Sequence, residues 1–95
     1  MHIINRKRLN DFADLYPETA TALEHWYKVM KQNSFDSFAE LKATFASADK
    51  VGKLTVVNIG RNKVRLNAAI HFNTHKVYIR AVLTHEEYDL KKWRT

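Results

Sequence analysis

The sequence has no cysteine, one proline and two glycines in 95 residues, and no apolar run long enough to cross a membrane. Without cysteine there is no disulfide framework, no thiolate nucleophile and no cysteine-ligated zinc, and a reducing compartment is the natural setting. The five histidines (His2, His25, His71, His75 and His85) show no metal-ligand spacing, so neither a metal nor a cofactor is expected. Met1 to Arg8 lacks the apolar core of a signal peptide, so the chain is expected to be cytoplasmic and away from membranes. The most informative absence is acid. From Lys50 to His85 there are seven Lys and Arg residues, three His and no Asp or Glu.

What is present frames that gap. A hydrophobic content of 45% and an aromatic content of 12% suit one domain, residues 1 to 95, with a modest core. The net charge of +6 is unevenly placed: residues 1 to 49 carry six bases and seven acids, while residues 50 to 95 carry ten bases and three acids. The first half reads as scaffold and the second as a binding surface for a polyanion, nucleic acid before anionic membrane. The plain alternative is a basic face with no ligand.

His2 to Ile4 predicts a short strand, with Asn5 as N-cap of a helix that buries Leu9, Phe12, Ala13 and Tyr16. Pro17 predicts the first residue of a second helix, whose stripe is Leu23, Trp26, Tyr27 and Met30. Ser37-Phe38-Ala39-Glu40 is a capping-box pattern and predicts a short third helix with Phe38, Leu41 and Phe45 inside. The period then changes. Lys53 to Ile59 reads as a strand and Gly60-Arg61-Asn62 as a turn, followed by a strand with Val64, Leu66, Ala68, Ile70 and Phe72 inward. Lys63, Arg65, Asn67, Ala69 and His71 take its other face. After Asn73 to Lys76 a third strand is predicted with Val77, Ile79, Ala81 and Leu83 inward and Tyr78, Arg80 and Val82 outward. A tight connection would set Arg65 opposite Thr84 and Ala69 opposite Arg80. The expected fold class is α+β, with N-terminal helices on one face of an antiparallel sheet and a short C-terminal helix.

The last strand ends at Thr84-His85-Glu86-Glu87-Tyr88-Asp89. Thr84 and Glu87 form a second capping-box pattern, and Glu86, Glu87 and Asp89 complement the helix dipole. His85 and Tyr88, three residues apart, share a helix face. A phosphate at the start of that helix would meet His85 and Tyr88 on one side and Arg65 on the other. Such a set can cleave RNA without a metal. A base takes the proton of a ribose 2′-hydroxyl, an acid protonates the departing 5′-oxygen, and cations hold the pentacovalent charge. The bland reading is a solvated histidine and a packing tyrosine on a well-started helix.

Val56 to Leu66, Ala68 to Phe72 and Val77 to Asp89, taken together, resemble the HigB toxins of the RelE superfamily of bacterial toxin–antitoxin systems. The likeness is densest from Leu41 to Trp93 and extends over essentially the whole chain. It implies a small RelE-like α+β domain and a metal-independent mRNA endonuclease that cuts translated messages on the ribosome. It also implies a HigA-type helix-turn-helix antitoxin that holds the toxin inactive, with operator DNA contacted only through that antitoxin. By position it makes Arg65 the strand cation, His85 the acid or base, and Tyr88 the stacking or proton-handling partner. Arg80 and Lys53 are further candidates for phosphate contact, joined by Lys63 and, past the helix, Lys91. Where the family's turn commonly has a second glycine this chain has Arg61, which either adds an RNA contact or decorates the loop. The readings that compete with catalysis are a non-catalytic RNA-binding module and an operon co-repressor with the toxin fold.

Overall fold

A computed structural model describes residues 1–60 and 63–90. The chain runs β1 (His2–Ile4), α1 (Arg6–Leu15), a short 3-10 turn (Pro17–Thr19), α2 (Ala20–Gln32), α3 (Phe38–Thr44), β2 (Asp49–Val51), β3 (Leu54–Ile59), β4 (Val64–His71), β5 (Lys76–Thr84) and α4 (His85–Asp89). The strands form one sheet in the order β1-β5-β4-β3-β2. The fold is α+β, with helices on the inner face of the sheet. The sheet is mixed rather than wholly antiparallel, because β1 pairs in parallel with the edge of β5. The backbone N–H of His2 donates to the His75 carbonyl at 2.8 Å beside this pairing.

Helical periodicity puts Leu9 and Phe12 of α1, and Leu23, Trp26 and Met30 of α2, on the faces that meet the sheet. They pack with Leu41 of α3 and with Val57, Ile59, Val64, Leu66, Ala68, Val77 and Ile79 of the strands. Each large aliphatic side chain buried in this way contributes roughly 1.5 to 3 kcal/mol. The Met1 amino group donates to the carbonyls of Met30, Lys31 and Asn33, three acceptors at the C-terminal end of α2. Burial lowers the pKa of this amine from its ordinary value, opposing the preference of the carbonyls for the ammonium form.

Several local expectations change. The Asn5 side chain forms no cap; the residue turns the chain with a left-handed backbone, φ 71°, which asparagine tolerates better than most residues. Pro17 opens the 3-10 turn and α2 begins only at Ala20. Ser37 caps α3 as expected, accepting from the Glu40 N–H at 3.2 Å, but the Glu40 carboxylate returns to the N–H of Asp36 rather than that of Ser37. Lys53 lies in a β2–β3 turn beside Gly52, so the strand starts at Leu54 and pairs with an edge strand that periodicity does not show.

The β4–β5 hairpin differs most. Its turn spans Phe72 to His75, with His75 at φ 56° and its Nε2 2.8 Å from the Asp36 carboxylate. Arg65 faces Leu83, not Thr84, and Ala69 faces Tyr78, not Arg80. Asn67 pairs with Ala81 while the next residue, Ala68, pairs with Ile79, which leaves Arg80 as the extra residue of a β-bulge. One extra residue reverses the faces beyond it. Val82 packs on the core, whereas Ala81 and Leu83 share the outer face with Asn67 and Arg65, the opposite of the simple alternation.

Candidate active site

The site is assembled by the end of one hairpin. Val64 and Leu66 point into the core, so Arg65 between them stands on the outer face of β4. Thr84 ends β5 and caps α4: its hydroxyl accepts from the Glu87 N–H at 3.2 Å, and the Glu87 carboxylate accepts from the Thr84 N–H at 3.0 Å. This box fixes the first turn of a five-residue helix and with it the direction of His85. Arg65 Nη2 then lies 2.9 Å from His85 Nδ1, and the Arg65 guanidinium lies 5.7 Å from the centre of the Tyr88 ring. Thr84→Ala is expected to destabilise the chain by about 0.5 to 2 kcal/mol in urea unfolding and to loosen the placement of His85. An unchanged unfolding midpoint would mean that the box does not hold the helix.

Arginine has only donors, so His85 Nδ1 accepts from Arg65 and the ring proton sits on Nε2. His85 Nε2 lies 3.1 Å from the Asp89 carboxylate, one helical turn on. Arg65 and Asp89 therefore flank the two ring nitrogens. Sequence alone presents Asp89 only as a charge complementing the helix dipole; its i, i+4 spacing from His85 is the signal for this second role. A cleft of about 360 Å³ adjoins the ring and is lined by Phe12, Tyr16, Glu18, Lys63, Thr84 and Glu86, among others.

An anion seated solely at the helix start fits less well than the sequence suggests. The Glu87 N–H is taken by Thr84, and the carboxylates of Glu86 and Glu87 lie in the same turn. The Arg65 side of His85 offers the better electrostatics.

The predicted residues fall into separate places. Arg65, His85 and Tyr88 come together, with Lys63 bordering the adjoining cleft. Lys53 and Arg80 meet elsewhere, in a groove of about 540 Å³ that also takes in Lys50 and His71, two residues to which the sequence assigns no role. Arg61 and Lys91 lie outside the described residues. Among the described residues no group of three His, Asp or Glu side chains could hold a metal ion, and no helix is long and apolar enough to cross a membrane.

The outer face is not uniformly open. Val56 and Asn67, cross-strand neighbours, are 3% and 1% exposed there. Neither polar side-chain atom of Asn67 has a hydrogen-bond partner. An orphaned buried polar group of this kind costs about 1 to 3 kcal/mol, and this one lies two residues from Arg65 on the central strand.

Comparison with known proteins gives a consistent pattern. The model of the HigB toxin family, described as the RelE-like toxic component of a toxin–antitoxin system, matches residues 19–91. The mRNA interferase toxin HigB of Escherichia coli strain K12 is 39% identical over 92 residues, covering 94% of this chain and 88% of the relative. The mRNA interferase HigB of Shigella flexneri is similar to the same degree, and that of Escherichia coli O6:H1 is 32% identical over 94% of this chain and 89% of its own length.

Proposed function

The chain belongs to the HigB toxins, the RelE-like toxic components of toxin–antitoxin systems, and on that premise we propose how its residues cleave RNA. Membership makes it an mRNA-cleaving toxin, an endoribonuclease whose substrate is mRNA and whose partner is an antitoxin. The observation that carries the proposal is the linked set Arg65–His85–Asp89, with Tyr88 against the guanidinium.

The scissile phosphate draws the Arg65 guanidinium onto its oxygens, a planar donor meeting a matching acceptor. That move releases the Nδ1 lone pair of His85. His85 then takes the proton from the adjacent 2′-hydroxyl, whose oxygen attacks phosphorus. Asp89, 3.1 Å from the other nitrogen, stabilises the imidazolium that forms, as the aspartate of a Ser-His-Asp triad does. As the bond to the 5′-oxygen breaks, that oxygen takes a proton from Tyr88, which stands beside the same guanidinium, and a 2′,3′-cyclic phosphate remains. Arg65 bears the charge of the pentacovalent state. None of these steps routes through a metal. Lys63, at the rim, attracts the substrate without touching the reacting atoms.

The setting we propose is the cytoplasm, with mRNA cut while translated on the ribosome by a chain that folds as one domain over residues 1 to 95. The antitoxin is of the helix-turn-helix HigA type, and operator DNA is reached only through it. Induction of the unaltered chain in a bacterial host should arrest growth and create new message 5′ ends inside translated regions. Growth without arrest and messages without new ends would contradict the proposal. Arg65→Ala should slow cleavage by about 10² to 10³-fold, as removal of a charge-stabilising donor does, while Lys63→Ala should cost far less. Equal losses in a single-turnover assay, at matched stability, would contradict the separate roles.

A further inference from the structure

Beyond the reacting site, we propose that the groove bounded by Lys50, Lys53, Arg80 and His71 is a second RNA subsite that holds the same single strand several nucleotides from the cut. This rests on the RNA-cleaving reading and extends it to the length of strand that the protein grips.

Position makes the case first. Arg65 and His71 both stand on the outer face of β4, six positions apart (71 − 65), which is roughly 20 Å along a strand rising about 3.3 Å per residue. The His71 end of the groove is therefore too far from His85 to contact the scissile phosphate; Arg80 lies nearer, at the level of Asn67 and Ala68, and Lys50 and Lys53 reach the groove from the edge strand and its turn. The bulge helps to form it: Arg80 is the extra residue of β5 and is left exposed there. Ala69, which lines the groove, pairs with Tyr78.

Charge and shape agree. Lys50, Lys53 and Arg80 are exposed and none forms an ion pair among the described residues, unlike Arg6, Lys7 and Lys42, each of which is matched with a carboxylate. Unmatched cations around a concave surface of about 540 Å³ suit a phosphate backbone. The His71 ring lines this groove and meets the Tyr78 ring edge to face, with centroids 5.2 Å apart. Cations that follow a backbone next to aromatic rings that stack bases are the two parts of a single-strand binding surface. An acidic protein segment would use the cations but would have no need of the rings.

The experiment uses the full chain and 2′-O-methyl oligoribonucleotides, which bind but cannot supply the attacking hydroxyl. Binding of a trinucleotide and an octanucleotide is titrated over a range of salt for the unaltered chain, for Lys50→Gln/Lys53→Gln, and for the same pair with Arg80→Gln. The double variant leaves the bulge untouched, so a folding defect at Arg80 cannot imitate the result. The proposal expects octanucleotide affinity to fall roughly tenfold in low salt, with the salt slope reduced by about 0.7 for each phosphate no longer neutralised, while trinucleotide affinity is unchanged. Unaltered octanucleotide affinity and slope in both variants would overturn the second subsite alone. So would equal losses for both lengths, which would make these residues supports of the Arg65 site. Full RNA affinity combined with loss of antitoxin binding would assign the groove to the protein partner instead. No affinity of the unaltered chain for either oligonucleotide would overturn the RNA reading of the whole face.

Discussion

Replacing His85 by alanine should lower the single-turnover rate of RNA cleavage by about 10² to 10⁴-fold, the usual contribution of a positioned acid or base. The side chain is half exposed and outside the core, so the unfolding free energy from urea titration should change by no more than about 0.5 kcal/mol. Activity and stability thus separate, as they must if His85 acts on substrate and not through the fold. Asp89→Asn should give a smaller loss, because it leaves the imidazole in place and removes only the charge that stabilises its protonated form. A His85→Ala chain that cut RNA at the unaltered rate would transfer the proton to another group and dismantle the arrangement proposed around Arg65.

The largest effect on stability should come from Trp26→Ala. Trp26 is 2% exposed at the centre of α2 and packs in the core between helices and sheet, so its truncation should cost about 3 to 5 kcal/mol in urea unfolding. For a chain of this size that is a large share of the whole folding free energy. Trp26→Phe should cost less for two reasons: it keeps an aromatic ring, and it removes an indole N–H that is buried without a partner. A loss below roughly 1 kcal/mol for the alanine variant would place the ring outside the core and leave α2 free to face a partner.

Much of this is legible in the sequence where the signal is local. The spacing of Leu23, Trp26 and Met30 marks one helix face, and both capping patterns, at Ser37 and at Thr84, form real caps. Alternation along β4 is enough to put Arg65 on the outer face, and the cap at Thr84 is enough to bring His85 to the same end of the hairpin. What local pattern does not carry is pairing. The bulge at Arg80 depends on how two strands meet across a four-residue turn, and an alternating run of Val, Tyr, Ile, Ala and Leu reads identically with or without it. For that reason simple alternation assigns Val82 and its neighbours to the wrong faces. The parallel docking of β1 and the edge strand β2 are likewise products of tertiary placement, since three residues are too few for a period to show. Asn67 illustrates the same limit: alternation gives its face, but not its burial.

The bulge also links fold to function. By adding one residue to β5 it leaves Arg80 on the same outer side as Arg65, and it turns Leu83 toward that side opposite Arg65. The acid-free stretch from Lys50 to His85 thereby carries the Arg65–His85 cluster at one end of the sheet and a basic groove near the other.

The central claim is that a ribose 2′-hydroxyl attacks phosphorus with His85 as base and no metal in the reaction. The direct measurement is the chemistry of the ends: the unaltered chain is incubated with translating ribosomes, RNA fragments are recovered, and their termini are identified, with the cut repeated on ribosome-free message in excess chelator. The account predicts 2′,3′-cyclic phosphates on upstream fragments and free 5′-hydroxyls on downstream ones, with any cutting in chelator giving the same ends. Upstream 3′-hydroxyls paired with downstream 5′-phosphates would mean that water was the nucleophile, and would contradict it.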